Sequence, residues 1–130
     1  TFLPILMPVI REYRSEIQGI IHCTGGAYSK VLKFIAPNLA VHIDNVPPTP
    51  VLFDLIRKAS NTSLAEMYKV FNMGIRMMLF VDKKSAPAIL DLASAFGVQA
   101  SILGEVRRSD EAAKVVINTG DANEPVVEYN

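Results

Sequence analysis

Leu6, Val9, Ile10, Tyr13 and Ile17 recur at spacings of three and four, with Arg11, Glu12, Arg14 and Ser15 between them. That period predicts an amphipathic first helix that lays one face on a sheet. Gly19-Ile20-Ile21-His22-Cys23 breaks it with a short β-branched run, a predicted strand ending at Thr24-Gly25-Gly26. Helical character returns over residues 27–35 until Ala36-Pro37 stops it, and residues 39–43 read as a second strand. The prolines of Val46-Pro47-Pro48 exclude regular structure until Thr49 caps a helix with Pro50 at its first position, ending near Ser60-Asn61.

Ser63 and Glu66 have the spacing of a capping box, so residues 64–70 are expected to form a short helix leading into Phe71-Asn72-Met73-Gly74. Residues 75–81 are apolar on both alternating sets, which predicts a strand covered on both faces at the centre of the sheet. Residues 84–96 are expected to form a further helix with Gly97 as its C-terminal cap, and residues 98–106 a strand, giving a βαβ-like return or a split variant of it. Residues 114–118 and 126–129 are β-like runs around Thr119-Gly120-Asp121, so 108–130 is expected to be an edge hairpin or a partly ordered tail. The order of elements predicts an α/β (α+β) fold, a mixed β-sheet with helices packed on it, as one domain over 1–130.

Composition narrows the function. Thirteen basic and thirteen acidic side chains leave a formal charge of zero, so no basic field attracts a nucleic acid. No apolar run approaches the roughly 20 residues that span a bilayer, and the expectation is a soluble, cytoplasmic domain with no membrane partner. Cys23 has no second cysteine to bond, and with only His22 and His42 beside it there is no metal-ligand spacing, so no metal site is expected. The chain opens at Thr1 and reads as part of something longer.

His22-Cys23-Thr24-Gly25-Gly26-Ala27 is the strongest chemical signal, because a strand running into two glycines and a helix turns main-chain N–H groups toward an anion. A phosphate suits that turn, with the Thr24 hydroxyl and the Lys30 and Lys33 ammonium groups beside it. The plainer reading is that Gly25-Gly26 only turns the chain, that His22 is structural and that both lysines face water. Asn72-Met73-Gly74 offers an amide and a flexible backbone before a strand, or simply a turn that tolerates left-handed geometry. Asp44 and Glu105 fall at strand ends and receive no role.

Three segments in order, His22-Cys23-Thr24-Gly25-Gly26-Ala27, Phe71-Asn72-Met73-Gly74-Ile75 and Ile102-Leu103-Gly104-Glu105-Val106, resemble the aminoimidazole ribonucleotide synthetases, also called phosphoribosylformylglycinamidine cyclo-ligases. Glu66-Met67-Tyr68 precedes Phe71 at that family's spacing. The resemblance covers about residues 3–107 and implies the family's C-terminal domain, a layered fold partly similar to the ferredoxin-like arrangement. It implies an ATP-driven ring closure of formylglycinamidine ribonucleotide to aminoimidazole ribonucleotide in purine biosynthesis. It places ATP and Mg2+ mainly on an N-terminal domain absent from this chain, and makes the full-length protein a homodimer, the chain alone being inactive. Carried over by position, His22 and Asn72 become catalytic residues, and Thr24, Gly25, Gly26, Lys30 and Gly74 bind substrate. Ala27 stands where the family has a third glycine, Val31 and Phe34 where it has Asn and Arg, and Arg76 where glycine is usual. The alternatives are a non-catalytic ligand-binding or regulatory module of the same fold. Another is a domain of a related ATP-dependent enzyme, namely formylglycinamidine ribonucleotide amidotransferase, selenophosphate synthetase or thiamine-monophosphate kinase.

Overall fold

Hydrophobic pairing sorts the elements into two groups in the computed structural model, which describes residues 1–130. One compact unit is built from residues 1–21 and 77–102, the other from residues 22–76 and 103–130. Helices and mixed strands together give the α+β class that the order of elements predicts.

In the first unit, helix α1 (Leu3–Tyr13) buries Ile5 and Val9 against Ile89 and Ala93 of helix α4 (Ala86–Ala95). Tyr13, Leu79 and Val81 pack at the margin of that cluster. Strand β1 (Ile17–His22) pairs with β3 (Met77–Val81). Asp82 N–H donates to the Glu16 carbonyl at 2.9 Å while Gly19 lies against Phe80, so the pair runs antiparallel. Gly97 has φ +67°, and the N–H groups of Gly97 and Val98 return to the carbonyls of Ser94 and Ala93, closing α4 as its glycine predicts.

In the second unit four strands lie in the order β4 (Gly104–Arg108), β2 (Leu39–Ile43), β5 (Lys114–Asn118), β6 (Val126–Tyr129). β2 pairs antiparallel with β4 and parallel with β5, and β5 pairs antiparallel with β6. Val41 aligns with Val115, and Ile43 with Ile117 and then Val127, so one sheet face carries a continuous buried apolar stripe. A 3-10 turn at Ser29–Lys33 lies against β5, and helix α3 (Leu64–Val70) lies against β6. Helix α2 (Val51–Ser60) packs on α3, aided by the rings of Phe53 and Phe71 at 5.8 Å. Ser63 caps α3 by accepting the Glu66 N–H at 3.2 Å, as the spacing predicts.

Five expectations are corrected. The first helix ends at Tyr13, a 3-10 turn follows, and Ile17 already belongs to β1. The helix expected over 27–35 is only the 3-10 turn at Ser29–Lys33, closed by i→i+3 bonds in which the Val31 and Phe34 N–H groups donate to the Tyr28 and Val31 carbonyls. Pro50, one residue later than Thr49, precedes α2. β3 is not a sheet centre: its ladder partner is β1, and the interior strands of the larger sheet are β2 and β5. Two apolar faces report burial of side chains, not the number of hydrogen-bonded neighbours. Residues 98–103 form no strand: the regular ladder runs from Gly104, and it ends where the Leu103 carbonyl accepts the N–H groups of both Asp44 and Asn45. β3 and β4 thus lie in different sheets, and the return between them is not βαβ.

Candidate functional site

The diglycine bend is braced against the end of α3 by hydrogen bonds between residues 40 or more positions apart. Gly26 N–H donates to the Val70 carbonyl at 2.9 Å, and Ser29 Oγ donates to the Lys69 carbonyl at 3.4 Å. Gly26 holds φ +66°, and a β-carbon there would collide with the Lys69 carbonyl oxygen. Its glycine is therefore fixed by the close approach of two main chains. Gly25 differs: it is exposed, its φ is ordinary, and an added β-carbon would meet nothing within 4 Å. The fold makes no demand for glycine at position 25.

Asn72 joins the second segment to the first. Its Nδ2 donates to the Cys23 carbonyl at 3.2 Å and its Oδ1 accepts the Gly74 N–H at 3.1 Å, so both ends of the amide are engaged. Asn72 holds the bend in place, which is a positioning task. Met73 and Gly74 take φ values of 49° and 97°, and a β-carbon on Gly74 would lie 2.8 Å from Pro50 Cδ. The left-handed turn expected of Asn-Met-Gly is present.

Lys30 folds back over the bend, its Nζ donating to the His22 carbonyl at 3.4 Å and to Thr24 Oγ1 at 3.5 Å. A lysine ammonium and a threonine hydroxyl thus meet over the His22 main chain, next to the exposed Gly25. That set supplies donors for an anionic oxygen. The bend offers fewer amides than the sequence suggests, since the N–H groups of Cys23, Thr24 and Gly26 go to the carbonyls of Arg76, His22 and Val70. No α-helix follows it, so no helix dipole contributes.

Of the positions where the sequence departs from its family, Ala27 and Val31 are fully buried and Phe34 is 65% exposed. Tyr28, between them, is also buried, and it meets Tyr68 edge-on with ring centroids 4.8 Å apart. Desolvation raises the Tyr28 hydroxyl far above the ordinary phenol range, and this oxygen has no hydrogen-bond partner.

A separate polar cluster, not foreseen, lies where the β5–β6 loop meets α2 and α3. Arg57 reaches Asp121 and Glu124, each at 3.1 Å, and Glu124 accepts the Leu64 and Ala65 N–H groups at the start of α3. A cleft of about 430 Å³ is lined there by Asp54, Arg57, Lys58, Asn61, Thr62, Ser63 and Glu124. Arg57 and its partners stand 64 and 67 positions apart, a separation that no local pattern marks. Neither this cleft nor one of about 280 Å³ beside Arg14 and Gln18 contains a residue of the diglycine bend. No three His, Cys, Asp or Glu side chains of this chain converge as a metal site needs.

Comparison with known proteins gives the lineage. Residues 5–117 match the family described as AIR synthase related protein, C-terminal domain. The phosphoribosylformylglycinamidine cyclo-ligase of Methanocaldococcus jannaschii is 31% identical over 125 residues, covering 96% of this chain and 34% of the relative. Those of Brevibacillus brevis and Methanopyrus kandleri are 35% and 36% identical, over 79% and 87% of this chain and 30% and 31% of theirs. The chain spans about a third of the length of these curated relatives. With nearly its whole length matched and the three signature segments in order, the chain belongs to the AIR synthase related family and corresponds to its C-terminal domain.

Proposed function

We propose that this chain is the substrate-side domain of an ATP-dependent phosphoribosylformylglycinamidine cyclo-ligase, which closes formylglycinamidine ribonucleotide to aminoimidazole ribonucleotide in purine biosynthesis. The observation that carries the reading is the likeness to proteins of that name along nearly the whole chain. Lys30, Thr24 and the Gly25 main chain hold the phosphate of the ribonucleotide, and the glycine at 25 lets that phosphate approach without a side chain in the way. Gly26, Gly74 and Asn72 keep the bend in position, the first two by their backbone geometry and the last through its bond to Cys23.

Ring closure forms a bond from the amidine nitrogen to the formyl carbon, breaks the bond from that carbon to its oxygen and releases one proton. His22 takes the proton on its imidazole. ATP, when bound, supplies the phosphoryl group that makes the departing oxygen a leaving group. In this reading ATP and Mg2+ belong to an N-terminal domain, and the full-length enzyme works in the cytoplasm as a homodimer. Holding the ribonucleotide in one geometry is the main task of this domain.

The test is phosphate release from ATP with formylglycinamidine ribonucleotide, measured on the full-length protein and on this chain alone. Turnover by the full-length protein and none by the 130-residue chain is expected. A full-length protein without turnover, or an isolated chain with it, overturns the assignment.

A further inference from the structure

The two ends of α3 are held by segments far apart in sequence, the β5–β6 loop and the diglycine bend. At its start Ser63 Oγ accepts the Glu66 N–H, and the Glu124 carboxylate accepts the N–H groups of Leu64 at 2.9 Å and Ala65 at 3.4 Å. The amides that a helix leaves without an internal partner are thereby filled, two of them by one side chain 60 and 59 positions away. At its finish the carbonyls of Lys69 and Val70 accept the Ser29 hydroxyl and the Gly26 N–H. Glu124 is itself held: Arg57 meets its Oε1 at 3.1 Å, its N–H donates to Asp121 Oδ1 and its carbonyl accepts the Thr119 hydroxyl.

We propose that Glu124 is a positioning residue for the diglycine bend, acting through α3. Seven residues are too few for a helix to hold its own place, so its contacts fix where it lies. Leu64, Met67 and Tyr68 are buried and keep it from lifting away, whereas sliding along its axis is resisted at its ends. Slippage by one residue, about 1.5 Å, breaks the bond from Gly26 to Val70 in one direction. In the other it drives the Lys69 carbonyl into Gly26, where there is already no room for a β-carbon. By gripping the first turn, Glu124 sets the height of these two carbonyls and with them the place of Gly26, next to Gly25 and Thr24. Its effect on substrate presupposes the function proposed above; its effect on Gly26 does not.

Residue-resolved amide hydrogen exchange on the 130-residue chain tests the coupling. In Glu124→Ala the buried Gly26 amide is expected to exchange roughly tenfold faster, while amides of the β2–β5 ladder stay within about twofold. Glu124→Gln keeps an oxygen for the Leu64 N–H but loses the charge that Arg57 meets, and an intermediate rise of about threefold is expected. In the full-length protein Glu124→Ala is expected to raise KM for the ribonucleotide about fivefold with kcat within about twofold. A Gly26 rate that is unchanged, or that rises only together with the whole sheet, overturns the proposal, and where Glu124→Ala does not fold Glu124→Gln decides by the same criterion. A KM that stays put while Gly26 loosens overturns it too, confining Glu124 to support of the fold. A full-length protein with no turnover before any substitution counts against the proposed function alone, and the Gly26 rates still decide the role of Glu124.

Discussion

The side-chain amide of Asn72 donates to the main-chain carbonyl of Cys23 at 3.2 Å, tying together two segments that are 49 positions apart. Because the other end of the same amide accepts the Gly74 N–H, no isosteric replacement satisfies both partners. Asn72→Asp places an acceptor against an acceptor and is expected to lower unfolding free energy by about 1–2 kcal/mol. Urea titration monitored by circular dichroism reads this directly, and an unchanged midpoint contradicts the bracing role.

Gly25 and Gly26 are neighbours with opposite expectations. Gly26→Ala forces a left-handed backbone and a contact with the Lys69 carbonyl, and should cost about 2 kcal/mol or more in stability. Gly25→Ala enters open space and should change stability by less than about 0.5 kcal/mol. In the full-length protein the same Gly25→Ala change should raise KM for the ribonucleotide. Equal stability losses at the two positions contradict the division of labour.

Tyr28→Phe removes a buried hydroxyl that has no partner. An unpaired polar group costs desolvation, so the variant is expected to be as stable as the parent or up to about 1 kcal/mol more stable. A loss of stability, read from the urea midpoint, contradicts this expectation.

Asp121 is held below its ordinary value of 3.8, first by the Asn123 and Glu124 N–H groups and then by Arg57. A carboxylate with a lowered folded-state pKa contributes stability that is complete above the unfolded value. That contribution disappears as pH falls through the lower native one. The β5–β6 loop should accordingly stay docked from neutrality down to about pH 4 and loosen only in stronger acid. Amide hydrogen exchange at Asn123 and Glu124 follows the release, and Asp121→Asn should remove this pH dependence.

Sequence period and end signals were enough for α3 and α4, because Ser63 and Gly97 act within one turn of their own helices. The bend at Gly25-Gly26 was legible for the same local reason. What surrounds it was not: the carbonyls of Lys69 and Val70 reach Gly26 through the tertiary fold, and that contact, rather than a ligand, explains the glycine. The centre of the sheet was misread because β3 and β5 are both apolar, and strand order depends on which chain segments meet. Lys30 over Thr24 was visible as a nearby cation, whereas Arg57 with Asp121 and Glu124 had no local sign at all.

The two interior strands of the larger sheet come from opposite ends of their unit, and Asp44 and Asn118, which meet at their tips, are 74 positions apart. During synthesis, β2 must therefore wait for β5 before its second edge is paired. Such long-range closure is slow and leaves the nascent chain open to aggregation or chaperone capture. A chain stalled before residue 114 has the β1–β3 pair and β4 beside β2, but the inner edge of β2 stays bare.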